Sequence, residues 1–289
     1  MVLDMFGDSG TTGIAAAEDS FVNKNQLEER QMKKSIIISI AIEKGGVAKT
    51  TTALNLGAAL HCLGKKVLLI DLDPQGSLSS YLGYDFSPAI TMNELIYNEV
   101  ANQPYEIGKI IRTNAEGLDY IPSSKMLSTA ITILGAAGAL SQTVLYRILH
   151  RPELSVYDYI IIDCRTSLDL LTVNALAASD KLIIPVQAEP FGVEGLAGVM
   201  DSMSNVCRSQ NSSLTLGGIL ITMAATRTTM AQDVEQLLRE KFGSKVFKTV
   251  IPRLSEAPKS TADQRSLVQT KNSRLGAKYL EVAKEIING

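Results

Sequence analysis

The sequence is poor in the residues that build disulfides and zinc sites. Its 289 residues include three cysteines and two histidines. The cysteines (Cys62, Cys164 and Cys207) are far apart and odd in number, and no apolar signal sequence is evident. These absences predict a cytosolic protein with reduced thiols, without disulfides and without a zinc site of recognised spacing.

A net charge of −2 predicts no general attraction to nucleic acid or anionic lipid. The charge is unevenly distributed, however. Residues 239–289 contain eleven Lys and Arg against five Asp and Glu, a net charge of +6, which leaves −8 for the rest of the chain. This asymmetry indicates either a basic face or ordinary solvated charge on a helix.

One long segment lacks charge altogether. Residues 126–146 contain no Asp, Glu, Lys or Arg over 21 positions, so a membrane span must be considered. Serine, threonine, glutamine and glycine interrupt the segment. We therefore expect a packed or partly exposed helix there.

The order of apolar runs predicts one folded domain. Residues 1–32 have little periodicity and are predicted to be a disordered or weakly helical extension, followed by a domain over 33–289. Within it, strand-like runs alternate with helical patterns, and a capping box is expected at Thr91 and Glu94. Repeated βα units predict an α/β, doubly wound, mostly parallel sheet with ligands at the carboxyl ends of its strands. The predicted strands are 35–42, 66–72, 118–121, 159–163, 181–187, 216–222 and 246–251, and the main predicted helices are 50–62 and most of 125–150.

The loop after the first predicted strand has the composition of a phosphate cradle. Residues 43–52 read Glu-Lys-Gly-Gly-Val-Ala-Lys-Thr-Thr-Thr. The ordinary pattern Gly-x-x-x-x-Gly-Lys-Ser/Thr fails at both glycines, which are Glu43 and Ala48 here. Backbone N–H groups and the start of the following helix still favour phosphate, with Lys49 on the β- and γ-phosphates and Thr50 on Mg²⁺. Alanine at position 48 is tolerated if its φ is negative.

Acids follow two of the predicted strands. Asp71 and Asp73 end one, and Asp163 ends another. Such carboxylates hold Mg²⁺ or orient an attacking water beside a triphosphate, although a single one can be merely a helix cap. Their order after the phosphate loop favours a nucleotide site.

A second lysine, Lys44, precedes Lys49 by five residues. It is either a solvated surface charge or a residue that reaches a nucleotide held by another subunit, as an arginine finger does in trans. The second interpretation requires a symmetric dimer whose formation depends on nucleotide.

These residues carry a family resemblance. The run Lys44-Gly-Gly-Val-Ala-Lys-Thr-Thr resembles the deviant Walker A motif of the ParA/Soj/MinD ATPases, which have a P-loop NTPase fold. The similarity extends from about Lys34 over nearly the whole chain and indicates the Soj/ParA partition branch. Further similar stretches are Val67-Leu-Leu-Ile-Asp-Leu-Asp-Pro-Gln-Gly, Tyr157-Asp-Tyr-Ile-Ile-Ile-Asp-Cys, Gly218-Ile-Leu-Ile-Thr-Met and Thr249-Val-Ile-Pro-Arg.

The resemblance implies an ATPase that uses ATP and Mg²⁺, hydrolyses slowly and is stimulated by a partner. It implies an ATP-dependent homodimer that binds non-specific DNA, a ParB-like centromere-binding partner, and a role in plasmid or chromosome partition. It also implies a cytoplasmic, nucleoid-associated protein without stable membrane association.

The resemblance also assigns residues by position. The catalytic set is Lys44, Lys49 and Asp73. The nucleotide-binding set is Lys44, Gly45, Gly46, Val47, Ala48, Lys49, Thr50, Thr51, Met223, Pro252 and Arg253. The metal set is Thr50, Asp73 and Asp163, and the DNA-binding set is Arg227 and Arg253.

Two departures from the family pattern bear on activity. Where members usually read Cys-Pro-Pro-Ser-Leu-Gly after the Walker B acid, this chain reads Cys164-Arg-Thr-Ser-Leu-Asp. Losing two prolines loosens a segment beside the γ-phosphate, and Arg165 adds a charge there, which bears on the hydrolysis rate. Near Arg253 the chain is three residues shorter than Ile-Pro-Arg-Asn-Val-Arg-Leu-Ser-Glu-Ala-Pro, so one of two arginines is missing.

Other functions remain open. A MinD-like positioning ATPase would bind membranes through a C-terminal amphipathic helix, yet we expect the apolar face of residues 274–288 to pack on the domain. An ATP-binding adaptor that positions another cargo with little hydrolysis is the third possibility. An iron–sulfur relative would need paired bridging cysteines, and Cys164 is interpreted as structural.

Overall fold

A computed structural model describes residues 34–86, 90–189, 194–225 and 228–289. Ser35–Gly289 forms one compact unit. The predicted extension, residues 1–32, lies outside the described residues, and the predicted domain boundary stays a prediction.

The described strands form a seven-stranded sheet of order β3-β4-β2-β5-β1-β6-β7. Every neighbouring pair is parallel except β3 and β4. The prediction of an α/β, doubly wound, mostly parallel sheet is therefore confirmed. The strands are β1 Ile36–Ile40, β2 Val67–Leu72, β3 Arg112–Thr113, β4 Asp119–Ile121, β5 Tyr159–Cys164, β6 Lys181–Gln187 and β7 Thr215–Thr222.

Helices connect the parallel strands and cover both faces of the sheet. Short 3-10 turns lie at Ile107–Lys109, Gly138–Leu140, Pro152–Leu154 and Gly243–Lys245. In the described residues the α-helices are α1 Lys49–Cys62, α2 Ser77–Tyr81, α3 Met92–Val100, α4 Leu127–Ala136, α5 Val144–Leu149, α6 Leu170–Ala178, α7 Glu194–Ser209, α8 Thr229–Phe242, α9 Glu256–Ala262 and α10 Arg274–Asn288.

The central strands are buried because they are apolar on both faces. In β5, Ile160 and Ile162 belong to a core layer with residues of α3 to α8, whereas Ile161 belongs to a second layer with α1 and α10. All three are 0% exposed, and each such burial is worth about 1.5–3 kcal/mol. The alternation of one strand between two cores explains its nearly continuous isoleucine run.

α10 covers the second layer with the apolar face that the sequence predicts will pack on the domain. Leu275, Tyr279, Val282 and Ala283 are all buried. The hydroxyl of Tyr279 lies 3.3 Å from the hydroxyl of Thr52 on α1. This prediction is confirmed, and most of the apolar face of α10 is occupied by the protein itself.

The predicted strand over 246–251 is wrong as a continuous element. It makes only two isolated parallel bridges, Ile219–Val246 and Ala224–Pro252. The reason lies on α10, where the carboxylate of Glu285 accepts the backbone N–H groups of Lys248 and Thr249 at 2.8 and 2.9 Å. Phe247 and Ile251 still donate to carbonyl oxygens of β7 at 3.0 and 2.9 Å, but Thr249 between them is turned towards the helix, so the pairing with the sheet is interrupted.

The uncharged segment is helical but interrupted. α4 ends at Ala136, Gly138 adopts a positive φ of 57°, and α5 starts only at Val144. Within the described ranges, no helix combines the length and apolarity needed to cross a membrane. The predicted capping box of α3 is confirmed, since the backbone N–H of Thr91 donates to Glu94 Oε2 at 2.7 Å.

Candidate nucleotide site

The sheet order brings the predicted phosphate loop and the strand-end acids together. β5 lies between β2 and β1. In register, Asp163 of β5 is paired with Ile40 of β1 on one side and with Asp71 of β2 on the other. Because these strands are parallel, the loop after β1 and the acids of β2 and β5 share one edge of the sheet.

The loop between β1 and α1 contains two left-handed residues. Gly46 has φ +73° and Ala48, the residue before α1, has φ +65°. The expectation that Ala48 is tolerated through a negative φ is therefore wrong. A left-handed conformation costs a residue with a Cβ about 1–2 kcal/mol. The turns leave the N-terminus of α1 facing the loop, a geometry that suits an anion.

Lys49 is buried at 7% exposure and curls back onto its own loop. Its Nζ donates to the carbonyl oxygen of Lys44 at 2.7 Å. Burial lowers the pKa of Lys49, and the nearby charges of Asp163 and Asp73 oppose that shift. The hydroxyl of Thr222, at the end of β7, donates to the carbonyl oxygen of Val47 at 3.0 Å and supports the loop from the other side.

Lys44 is in a different environment. It is half-buried, and within the described ranges its ammonium makes no hydrogen bond or ion pair. The backbone of α7 lies against it: a Cβ on Gly195 would be 2.9 Å from Ile42 Cγ1 and 3.5 Å from Lys44 Cβ. A Cβ on Gly198 would be 2.9 Å from the carboxylate of Glu43. Glycine on α7 thus permits close contact between this helix and the loop.

Asp163 is 1% exposed, and neither carboxylate oxygen has a hydrogen-bond partner of normal geometry among the described residues. Burial raises its pKa well above the usual range and Asp71 adds to the rise, whereas Thr50 and Lys49 oppose it. A buried carboxylate without a partner, next to a threonine hydroxyl, fits Mg²⁺, which takes one or two protein oxygens and completes its shell with phosphate and water.

Asp71, by contrast, is fully engaged. Its carboxylate accepts the backbone N–H and the hydroxyl of Ser79 at 2.8 and 2.7 Å, and the backbone N–H of Asp73 at 3.1 Å. Burial nevertheless raises its pKa to about 6. Asp71 therefore holds the strand end in place and orients the neighbouring Asp73.

Asp73 is half-buried at the same edge of the sheet. Its Oδ1 accepts the backbone N–H of Gln75 at 2.9 Å, and its carbonyl oxygen accepts the Ser123 hydroxyl at 2.7 Å. No hydrogen bond of its Oδ2 is found within the described ranges. One carboxylate oxygen is thus fixed and the other is available to a water or substrate atom.

The remaining predicted residues lie beside the end of β7. Met223 has φ +52°, and the next residue, Ala224, bridges to Pro252. The backbone of Arg253 therefore lies close to that of Met223, since its N–H donates to the carbonyl oxygen of Ala224 at 3.0 Å. Thr51 lies on the first turn of α1, next to Thr50. Arg227, a predicted DNA-binding residue, lies outside the described residues.

Arg253 is engaged by an acid that sequence reasoning missed. Its Nη2 lies 3.0 Å from Glu189 Oε1, which also accepts a hydrogen bond from Gln187 Nε2 at 2.7 Å. Glu189 follows β6 and is 64 residues away in sequence, so no local pattern points to the pair. Thr222 and Ser123 were also missed, because a hydroxyl that supports a loop has no sequence signature of its own.

Comparisons with known proteins agree with this geometry. An AAA domain family model matches residues 35–216. The chain is 40% identical over 257 residues to the sporulation initiation inhibitor protein Soj of Bacillus subtilis, covering 86% of this chain and 97% of Soj. It is 38% identical over 259 residues to the chromosome partitioning protein ParA of Caulobacter vibrioides, covering 87% and 94%.

A solved structure is also similar. The cobyrinic acid a,c-diamide synthase from Mycobacterium smegmatis, with bound ATP analogue and magnesium, has a TM-score of 0.75 at 30% identity and covers 88% of this chain and 95% of its own. The sequence matches extend over almost the full length of both Soj and ParA. The chain therefore belongs to the Soj/ParA partition branch of the ParA/Soj/MinD family of deviant Walker A ATPases.

Proposed function

We propose that the protein is a homodimerising ATPase that binds non-specific DNA in its ATP state and drives plasmid or chromosome partition with a ParB-like partner. The observation that carries the proposal is the contrast between two lysines of one loop. Lys49 is buried on the loop carbonyl, whereas the ammonium of Lys44 has no partner among the described residues. Lys49 is placed to bind the phosphates of its own subunit, and Lys44 is available to a second subunit. This arrangement fits a nucleotide shared between two subunits.

ATP with Mg²⁺ is the ligand that the site fits. The backbone amides of residues 44–51 and the Lys49 ammonium would hold the phosphates. Thr50 would bind the metal, with Asp163 and Asp73 supporting it from the strand ends. When bound, Mg²⁺ supplies neutralisation of charge on the phosphate oxygens.

For hydrolysis, Asp73 is the residue best placed to orient a water. The backbone N–H of Gln75 holds Oδ1 in place. Oδ2 can therefore accept a hydrogen bond from a water molecule in a fixed direction. Lys49 stabilises negative charge from within the subunit. The partner subunit's Lys44 would add a second cation, so cleavage would require the dimer.

DNA binding is proposed for Arg253 and Arg227, with support from the structure around Arg253. A cleft of about 500 Å³ is lined by Arg253 together with Arg274 and Lys278 of α10. Arg274 would compensate for the arginine that the shortened segment lacks, whereas Lys278 is paired with Glu281 at 2.6 Å. Each phosphate that is neutralised adds about 0.9 to the slope of log affinity against log salt. DNA binding would place the protein on the nucleoid.

A mobility-shift assay on random-sequence DNA tests the proposal. With ATP we expect a shift that weakens steeply with salt, and with ADP or no nucleotide we expect none. Lys49→Ala should lose nucleotide and the shift together. Lys44→Gln should keep nucleotide but remain a monomer in size-exclusion chromatography with a non-hydrolysable ATP analogue. Equal shifts with ATP and ADP would contradict the ATP switch.

The two alternatives give different results. A MinD-like protein would sediment with anionic vesicles in ATP, although the buried apolar face of α10 disfavours this function. An adaptor would bind ATP without turnover, and the changed Arg165-Thr166 sequence is the feature that favours it. Multiple-turnover phosphate release with DNA and the partner separates the adaptor from the partition ATPase. Complete absence of release would support the adaptor.

A further inference from the structure

The segment after β5 contains a charge pair that the usual family sequence lacks. Where Pro and Gly are usual, this chain has Arg165 and Asp169, and the two side chains contact each other. Arg165 Nη1 lies 2.8 Å from Asp169 Oδ2. The two departures are therefore coupled in the structure.

The pair leaves the guanidinium only partly satisfied. Nε and Nη1 of Arg165 are buried and lack a hydrogen-bond partner within the described ranges, so the 2.8 Å contact is an ion pair without hydrogen-bond geometry. Asp169 is already engaged, since its Oδ2 accepts the hydroxyl of Ser167 at 2.7 Å and its Oδ1 accepts the backbone N–H of Leu171 at 3.1 Å. Buried donors without acceptors are unfavourable, so these N–H groups favour a further acceptor, and the positive charge of the guanidinium favours an anionic one.

The position of the segment indicates which anion could reach Arg165. Arg165 comes two residues after Asp163, directly after the end of β5, the strand next to β1. The following residue, Thr166, packs on the phosphate loop, because its Cγ2 lies 4.0 Å from the position that a Cβ on Gly45 would take. A planar guanidinium whose Nε and Nη1 make no hydrogen bond is suited to two oxygens of one phosphate group.

We propose that Arg165 contacts the terminal phosphate of ATP from within the same subunit and that Asp169 holds it when that phosphate is absent. This inference rests on the proposed ATP binding at the loop. Arg165 would then distinguish ATP from ADP, because ADP lacks the group that competes with Asp169 for the guanidinium. The subunit would supply one cation to the terminal phosphate in cis, in addition to the partner subunit's Lys44 in trans.

Nucleotide affinity with Mg²⁺, measured by calorimetry with a non-hydrolysable ATP analogue and with ADP, tests the proposal. For Arg165→Ala we expect the analogue to bind at least about tenfold more weakly, as expected for a lost charged hydrogen bond, with less than about a threefold change for ADP. Arg165→Lys keeps the positive charge but lacks the planar guanidinium. Its affinity for the ATP analogue should lie between those of wild type and Arg165→Ala. Melting temperatures confirm that each variant is folded.

Asp169→Asn is the decisive companion variant. Asparagine still caps α6 by accepting the backbone N–H of Leu171, but it releases the guanidinium. If Arg165 contacts the phosphate, this variant binds the ATP analogue more tightly than wild type and leaves ADP unchanged.

Two results overturn the proposal. Either Asp169→Asn weakens binding as Arg165→Ala does, which assigns the pair to loop stiffening alone, or Arg165→Ala affects both nucleotides equally. Failure of the underlying ATP site gives a different outcome, because Lys49→Ala would then bind both nucleotides normally.

Discussion

Replacing Ala48 by glycine should stabilise the protein, because glycine adopts a positive φ without steric strain. Ala48 has φ +65° and ψ 34° immediately before α1, and its side chain makes no capping hydrogen bond. Relief of the left-handed strain is worth about 1–2 kcal/mol. Glycine also suits the N-cap position better than alanine by about half a kcal/mol. The greater conformational freedom of glycine in the unfolded chain offsets about 0.4–1 kcal/mol of this gain in stability.

The net expectation is a gain of about 1 kcal/mol in the free energy of unfolding, or about 2 °C in melting temperature for a domain of this size. Differential scanning calorimetry without nucleotide measures the melting temperature and gives the free energy of unfolding. A matched control is Ala53→Gly, which makes the same change at a buried helical position of α1. The control should lose about 1 kcal/mol from helix propensity and more from its lost methyl group. If both variants lose stability, the positive φ at position 48 does not strain the loop.

Three further predictions follow from the site. Asp73→Ala should bind ATP and DNA but hydrolyse at least about a hundredfold more slowly and fail to release DNA, and a normal rate of phosphate release would show that another group orients the water. Glu189→Gln should free Arg253 and strengthen DNA binding about two- to fivefold at low salt, with the gain vanishing at high salt, whereas Glu106→Gln removes the same charge elsewhere and should not. Asp71 has its pKa raised by burial from 3.8 to about 6, so the folded state keeps a proton that the unfolded chain releases between those values. The stability of wild type relative to Asp71→Asn should therefore fall by about 2.4 kcal/mol as pH rises from 4 to 7, measured by denaturant titration. A flat difference across that range would contradict the raised pKa.

The sequence predicts the centre of the fold well because local composition determines it. The runs that become β2 and β5 are apolar at nearly every position, which only a strand buried on both faces requires. The phosphate loop is likewise predicted from its glycines, lysines and threonines, since the phosphate contacts are made by neighbouring residues. The acids could be placed because parallel strands end at a common edge.

The predictions that failed depend on contacts between distant residues. Nothing within 246–251 shows that a carboxylate on α10, Glu285, will accept two of its backbone donors and prevent a continuous strand. The backbone of Ala48 follows from how the loop closes onto α1, and alanine itself favours a negative φ. The pairing of Arg253 with Glu189 joins residues 64 apart on different elements. Such information lies in the tertiary structure and is absent from short windows of sequence.

The glycines of α7 have a mechanical consequence. Gly195 and Gly198 lie against residues 42–44, so these two positions of the helix present no side chain that could absorb a small movement of the loop. A shift of the loop on nucleotide exchange would therefore be transmitted to the first turn of α7. Its 16 residues extend about 24 Å, so a rearrangement of a few tenths of an ångström at the phosphates becomes a change of surface shape far from them. We therefore expect the position of the far end of α7 to follow the position of the loop.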